Sequence, residues 1–219
     1  VFERMYGDGG SAEQRLARLP GVSSVGGAFP LPFATGGIPQ PVGIPGRPQP
    51  PNGRGATADV YNVRGDYFTA LGMHLLAGRA FTDSDNAGSA PVAIVDDRFA
   101  ARFWPGAAPA AALGQRLTAA GAEREVVGVV AHVNEAALDG VAKPEAYVPQ
   151  DQSPAFSAVL YFVLRTPLAQ PASLRPAAMA AIAALDANQP ITDTATMSAR
   201  VEATLTQRRL AFDVHGLFA

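Results

Sequence analysis

Cysteine is absent from the chain of 219 residues, and lysine is nearly absent, with Lys143 the single lysine among 17 basic residues. Without cysteine there can be no disulfide, iron–sulfur cluster, thiolate zinc site or cysteine nucleophile. The basic residues are scattered along the chain, and the net charge is -2. We therefore expect no nucleic-acid partner, because nucleic-acid binding requires a concentrated basic surface.

Long apolar runs are also missing. No stretch approaches the roughly 18 apolar residues of a membrane-spanning helix, and the N-terminal VFERMYGDGG lacks the charged and apolar regions of a signal peptide. Hydrophobic residues still make up 48% of the chain, enough for a self-sufficient core. Taken alone, the sequence predicts a water-soluble globular chain. Its ends, Val1 and the apolar RRLAFDVHGLFA, indicate a domain excised from a longer protein.

Motifs that carry common chemistry do not occur. G-x-S-x-G, G-x-G-x-x-G and G-x-x-x-x-G-K-[ST] are missing, which argues against a serine hydrolase and against nucleotide binding by this chain. His74, His132 and His215 have no partner at helical metal-ligand spacing. Residues 83–88, DSDNAG, begin like a calcium loop but place Ala87 where an oxygen ligand is required. We predict no catalytic residue, no cofactor and no metal site.

Two acid pairs are candidates for general acid–base work: Asp96 with Asp97, and Glu123 with Glu125. Adjacent acids at the start of a helix are stabilised there by the helix dipole, and alternate acids on one strand face usually contact water. We therefore predict that both pairs are solvated and carry no catalytic role.

Short elements follow one another through the first part of the chain. SAEQRLARLP predicts a helix capped by Ser11 with Leu16 and Leu19 on one face, and a strand is predicted for residues 22–29. Residues 34–55 are rich in proline and glycine and predict a long exposed loop with at most a short edge strand. The segment ATADVYNV then alternates like a strand.

The stretch YFTALGMHLLAGRAFTDSD follows that strand. Asp66 is predicted to cap a short helix that ends at Gly72, and the aromatic residues and leucines of the stretch are predicted to be core. Arg79 is predicted to clamp the following loop by pairing with Asp83 or Asp85.

The second half of the chain contains a predicted buried strand, PVAIVD, and a helix, DRFAARFWPG. In that helix the aromatic side chains face inward and the arginines outward. The remaining predictions are a hairpin around Ala120-Gly121, strands at Glu145–Pro149, at 157–165 and after Pro190, a helix from Ser173 to Asp186 capped by Ser173, and an amphipathic helix over 196–212. This order indicates an α+β fold, with residues 89–150 forming a small insertion.

Collinear motifs along almost the whole chain carry a family resemblance. They are LPGVSSVGGAFPLP, the YFTALGMHLLAGRAFTDSD stretch, PVAIVDDRFAARFWPG, LGQRL, EVVGVVAHV, EAYVPQ and DANQPITDTATMSARVEATLTQRRLAF. In this order the chain resembles the extracytoplasmic core domain of MacB/FtsX-like ABC transporter permeases, and especially the large duplicated permeases of acidobacteria.

The resemblance implies a two-part periplasmic domain. Residues 1–88 and 151–219 would form a porter-like α/β subdomain with stalk helices, and residues 89–150 an inserted, strand-rich, Sabre-like subdomain. It also implies a membrane helix on each side of the domain and a location on the periplasmic face of the bacterial inner membrane. The implied partners are a cytoplasmic ABC ATPase, a second permease copy or half, and a periplasmic adaptor.

Function follows from the same resemblance. Such domains are non-catalytic and couple cytoplasmic ATP hydrolysis to periplasmic movement for export or envelope remodelling. The alternative is an extracytoplasmic binding module for a lipid, peptide or adaptor protein, with the 34–55 loop or an inter-subdomain cleft as its site. A secreted hydrolase would require clustered titratable groups.

Overall fold

The computed structural model describes residues 12–31, 37–47, 56–106, 108–133, 143–153, 159–188, 191, 194–203 and 206. The strands within these residues are β1 (Ser24–Phe29), β2 (Ile38–Pro41), β3 (Thr57–Gly65), β4 (Leu75–Gly78), β5 (Val92–Asp96), β6 (Arg116–Ala119), β7 (Ala122–Val130), β8 (Glu145–Pro149) and β9 (Tyr161–Arg165). They form one mixed sheet with the strand order β4-β7-β5-β8-β3-β1-β9, with β2 added to β3 and β6 to β7.

Short helices connect these strands. They are α1 (residues 12–17), α2 (Tyr67–Leu71), α3 (Asp97–Phe103), α4 (Arg175–Ala183) and α5 (residues 197–203), with 3₁₀ helices at Pro109–Ala112, Gln150–Gln152 and Pro171–Leu174. In the described part of the chain, no helix combines the length and apolarity needed to cross a membrane.

The central strands β3, β5 and β8 are buried on both faces. β3 pairs with β8 in parallel and β8 with β5 antiparallel, and alternate residues of these strands belong to two separate apolar clusters. One cluster contains Phe99, Phe103 and Trp104 of the α3 region. The other contains Tyr67 and Phe68 of α2. Helices therefore cover both faces, which explains why β5, VAIVD, reads as a nearly continuous apolar run.

Several sequence predictions are confirmed. The β6–β7 hairpin turns at Ala120 and Gly121, both with positive φ (49° and 74°), the combination typical of a two-residue hairpin turn. The strand Glu145–Pro149 has the predicted bounds. In α3, Phe99 and Phe103 are buried while Arg98 and Arg102 are exposed.

Other predictions are wrong. Leu75 and Leu76 were expected in the core, yet each is 46% exposed because β4 is an edge strand of the sheet. Asp66 occupies the N-cap position of α2, but its side chain makes no capping hydrogen bond. Ser173 does not cap a long helix: it lies within a 3₁₀ helix and donates to the carbonyl of Gln170, and α4 begins only at Arg175.

The predicted 34–55 loop is only partly a solvated connection. Its residues 38–41 form the edge strand β2 against β3. Val42 is buried, and Gly43 bridges to Thr118 of the β6–β7 hairpin. Ser11, Ser157, Pro190 and residues 207–212, which entered other predictions, lie outside the described residues.

The proposed boundary at residues 89 and 150 runs through a continuous sheet. β8, from inside the predicted insertion, is hydrogen-bonded to β3 from outside it, and β7 is bonded to β4. The division into porter-like and Sabre-like parts stays a prediction.

Candidate functional site

Three polar residues that are far apart in the sequence lie together where β5 and β7 end and β8 begins. β5 and β7 are parallel, so their C-terminal ends meet, and Asp96 lies opposite Val130. β8 runs antiparallel to β5, so it begins at that same edge. As a result Asp96 at the end of β5, His132 just after β7, and Glu145 at the start of β8 form one cluster, hereafter the acid–histidine cluster.

Asp96 is the fully buried centre of this cluster. Its Oδ1 accepts hydrogen bonds from the backbone amides of Phe99, at 2.7 Å, and Glu145, at 3.1 Å. The first of these bonds caps α3. Its Oδ2 lies 2.6 Å from Nδ1 of His132. Asp96 thus joins a strand end, a helix start and a neighbouring strand through one carboxylate.

Glu145 completes the acid pair around the histidine. Its Oε2 accepts a hydrogen bond of 2.6 Å from the hydroxyl of Tyr147 and lies 3.8 Å from Nδ1 of His132. The Tyr147 ring stacks on Tyr61 at 5.5 Å and meets Phe68 edge-on at 5.2 Å. The polar cluster therefore rests directly on the aromatic core.

His132 is held by both its main chain and its ring. Its backbone amide donates to Oδ1 of Asp97 at 3.0 Å, and its side chain is only 8% exposed. The hydrogen bond to Asp96 raises the pKa of His132, against the opposing effect of burial and with added attraction from Glu145. Among the described residues, its Nε2 has no hydrogen-bond partner.

A third buried carboxylate, Asp59, lies next to the cluster. The parallel pairing places it beside Glu145, and the stacked Tyr61 and Tyr147 two residues further on show that this register puts the side chains on one face. Asp59 is 2% exposed, and Lys143 Nζ lies 3.9 Å from its Oδ2. Burial raises the pKa of Asp59, and Lys143 partly opposes this effect.

The acid pairs named from the sequence have opposite environments. The prediction that Asp96 is solvated is wrong, because this residue both ends a buried strand and caps a helix. The predicted exposure of Glu123 and Glu125 is confirmed, and Glu123 forms a surface ion pair with Arg116. His74 is exposed.

Arg124 is a buried charge that the sequence prediction missed. It is fully buried and donates to the carbonyls of Ala119 and Gln152 and to Oε1 of Gln152, each at 3.1 Å. Gln152 in turn bonds Ser89 and the Val92 amide, so the pair ties the start of β5 to the end of β8. The sequence did contain a signal for this burial. Arg124 and Val126 are two positions apart in one strand, so their side chains lie on the same, inward face.

The predicted loop clamp is confirmed, with Asp85 as the partner of Arg79. The guanidinium makes two bonds to the carboxylate, at 2.7 and 2.9 Å. The amide of Thr82 also donates to Asp85 at 2.9 Å. Arg79 lowers the pKa of Asp85, with burial opposing and Thr82 reinforcing this effect. The geometry indicates a structural role for this residue pair.

Comparison of this chain with solved structures and with protein families identifies the class of protein. The periplasmic region of MacB from Actinobacillus actinomycetemcomitans shares the fold, with a TM-score of 0.55 at 16% identity over 80% of this chain and 72% of that one. The extracellular domain of the noncanonic ABC-type transporter YknZ from Gram-positive bacteria gives a TM-score of 0.52 at 18% identity over 81% of this chain and 82% of that one. A search among curated proteins found no significant match.

Residues 11–187 match the MacB-like periplasmic core domain, and the chain belongs to this family. It is therefore a MacB-like periplasmic domain of an ABC-type transporter permease, with the mixed α+β fold that the resemblance implied.

Proposed function

We propose that this domain is non-catalytic and passes movement, driven by cytoplasmic ATP hydrolysis, into the periplasm for export or envelope remodelling. The proposed partners are a cytoplasmic ABC ATPase, a second permease copy or half, and a periplasmic adaptor. The proposed location is the periplasmic face of the bacterial inner membrane. Family membership over residues 11–187 supports this assignment.

The attachment of α1 to the sheet is the observation that carries the coupling role. Leu16 of α1 is fully buried, and Glu13 pairs with Arg64 of the central strand β3 at 3.1 Å. Both partners of this pair are mostly buried, at 17% and 22% side-chain exposure. A displacement of α1 is therefore transmitted to the middle of the sheet, because packed interiors deform little.

Helix α5 is the second proposed stalk element. Residues 197–203 are helical, and Thr196 caps them by accepting the amide of Ala199 at 3.2 Å. None of the described residues of α5 is buried. Four of these seven residues are exposed and three are half-buried, which suits a connection between the domain and a neighbouring segment.

A loss of the Glu13–Arg64 contact tests the proposal. In the intact transporter, Glu13→Ala should preserve assembly and ATP hydrolysis but reduce transport several-fold, since α1 would lose its ion pair with β3 while Leu16 stays buried. Glu123→Ala, which removes the exposed pair with Arg116, is the matched control. Normal transport by a folded Glu13→Ala transporter would contradict this path of coupling.

The alternative function is a binding module for a lipid, peptide or adaptor protein. A shallow cavity between α1 and β1 has a volume of about 170 Å³ and is lined by Glu13, Ser24 and Asp66 among others. Small-molecule sites typically have volumes of about 300–1,000 Å³. A deletion confined to residues 48–55, which spares β2, Val42 and the Gly43 bridge, tests the alternative, because a recognition loop would be required for transport even where assembly is normal.

A further inference from the structure

The imidazole of His132 lies between two carboxylates that belong to different strands. Its Nδ1 is 2.6 Å from Oδ2 of Asp96, at the end of β5, and 3.8 Å from Oε2 of Glu145, at the start of β8. All three side chains are buried, so water screens the attraction between them little. A positive charge on the ring would therefore hold the ends of β5 and β7 and the start of β8 together.

Other polar groups around the ring come from the elements packed on the cluster. They are Asp97 and Arg98 of α3, Tyr147 of β8, Asp59 of β3, and Lys143 before β8. Asp97 accepts the backbone amide of His132, and Lys143 lies 3.9 Å from Asp59. Among the described residues, Asp96 and Glu145 are the carboxylates that contact a ring nitrogen of His132.

These surroundings favour the charged form of His132. The hydrogen bond to Asp96 raises the pKa of His132 most, and attraction to Glu145 adds to this effect. Burial of the ring and repulsion from Arg98 oppose it. The opposing cost includes Nε2, which is buried without a hydrogen-bond partner among the described residues.

The raised pKa of His132 fixes the sign of its pH dependence. The ordinary pKa of histidine is 6.5, and the folded-state pKa of His132 lies above this value. The stabilising contribution of the charged ring is therefore complete below pH 6.5 and is lost as the pH rises through the folded-state pKa.

We propose that protonated His132 is a pH-sensitive contact that joins the end of β7 to the end of β5 and the start of β8. As the pH rises, the ring loses its charge and these three strand ends separate more readily. Oδ1 of Asp96 still accepts the amides of Phe99 and Glu145, so the fold persists and only the strength of this junction changes. The proposal is independent of the proposed transport function.

A histidine titration of the whole chain by proton NMR tests the proposal. The ring protons report the titration midpoint of each histidine, and His74→Gln and His215→Gln identify the His132 signal by elimination. We expect His132 to titrate at a higher pH than the exposed His74. Glu145→Gln, which removes a charge that faces the ring, should lower the His132 midpoint. Glu123→Gln, in the exposed pair with Arg116, should leave it unchanged.

Urea denaturation between about pH 6 and pH 9 tests the effect on stability. The parent protein should lose more stability over this range than His132→Gln, whose side chain is neutral throughout. His132 titrating no higher than His74, or parallel pH profiles of the parent and folded His132→Gln, would overturn the proposal. An unchanged His132 midpoint in Glu145→Gln would overturn the link to β8. If His132→Gln is unfolded, the NMR titration decides, because it does not need this variant.

Discussion

Two ionic arrangements stabilise neighbouring parts of this domain by different means. The Arg79–Asp85 pair closes a loop between residues six positions apart, and the arginine is 47% exposed. The acid–histidine cluster joins Asp96 to residues 36 and 49 positions away, and its members are almost wholly buried. The first arrangement shapes one loop, while the second connects three elements of the sheet. Water and salt screen the attraction between Arg79 and Asp85, whereas the charges of the buried acid–histidine cluster are screened little.

Removal of the Asp96 carboxylate should lower the free energy of unfolding the most. Asp96→Ala removes the α3 cap and leaves buried His132 and the Glu145 amide without their partner. We expect the free energy of unfolding to fall by about 3–5 kcal/mol, measured by urea denaturation. Asp96→Asn, which retains an acceptor for the cap, should cost less. Equal losses in the two variants would contradict the contribution of the capping hydrogen bonds.

The Arg79–Asp85 pair should contribute less to the free energy of unfolding than Asp96 does. Arg79→Ala leaves Asp85 with the Thr82 contacts but without its guanidinium. Because Arg79 is half exposed, we expect a loss of about 1 kcal/mol, measured by the same denaturation experiment. An unchanged melting temperature together with lost transport would instead make Arg79 a functional residue.

The pH dependence of the clamp separates its charge from its packing. Arg79 holds the pKa of Asp85 below its usual value of 3.8, so this contribution is complete above that value and is lost as the pH falls through the lower, folded-state pKa. Denaturation curves at pH values from neutrality to below 4 should show a steeper acid loss for the parent protein than for Arg79→Ala. Parallel pH profiles would exclude a charge-based clamp.

A substitution on the exposed edge strand β4 should change the free energy of unfolding the least. Leu76→Gln replaces a side chain that is 46% exposed on β4, and we expect a change in unfolding free energy within about 0.5 kcal/mol. Leu117→Ala is the comparison, since Leu117 is fully buried and its truncation should cost about 2–5 kcal/mol. A large loss in Leu76→Gln would mean that Leu76 packs against something in the tested sample.

The same contrast explains which features the sequence could predict. The Arg79 clamp, the Ala120-Gly121 turn and the α3 aromatics depend on residues close in the chain, and all are confirmed. The acid–histidine cluster depends on the order of β7, β5 and β8 in the sheet. No spacing in the sequence indicates that order.

Errors at the level of single residues have a similar origin. Leu75 and Leu76 are apolar, and only their place on an edge strand exposes them. Arg124 is charged, and only the carbonyls and Gln152 around it make burial tolerable. In both cases tertiary position overrides the character of the side chain.

Hydrogen exchange in the intact transporter tests the coupling role most directly. Amides of residues 12–17 and 197–203 should exchange at different rates in the ATP-bound and ADP-bound states, because these helices are the proposed connections to the moving membrane segments. The β6–β7 hairpin serves as the internal reference. Identical exchange of both helices in the two nucleotide states would contradict the proposal that this domain transmits movement.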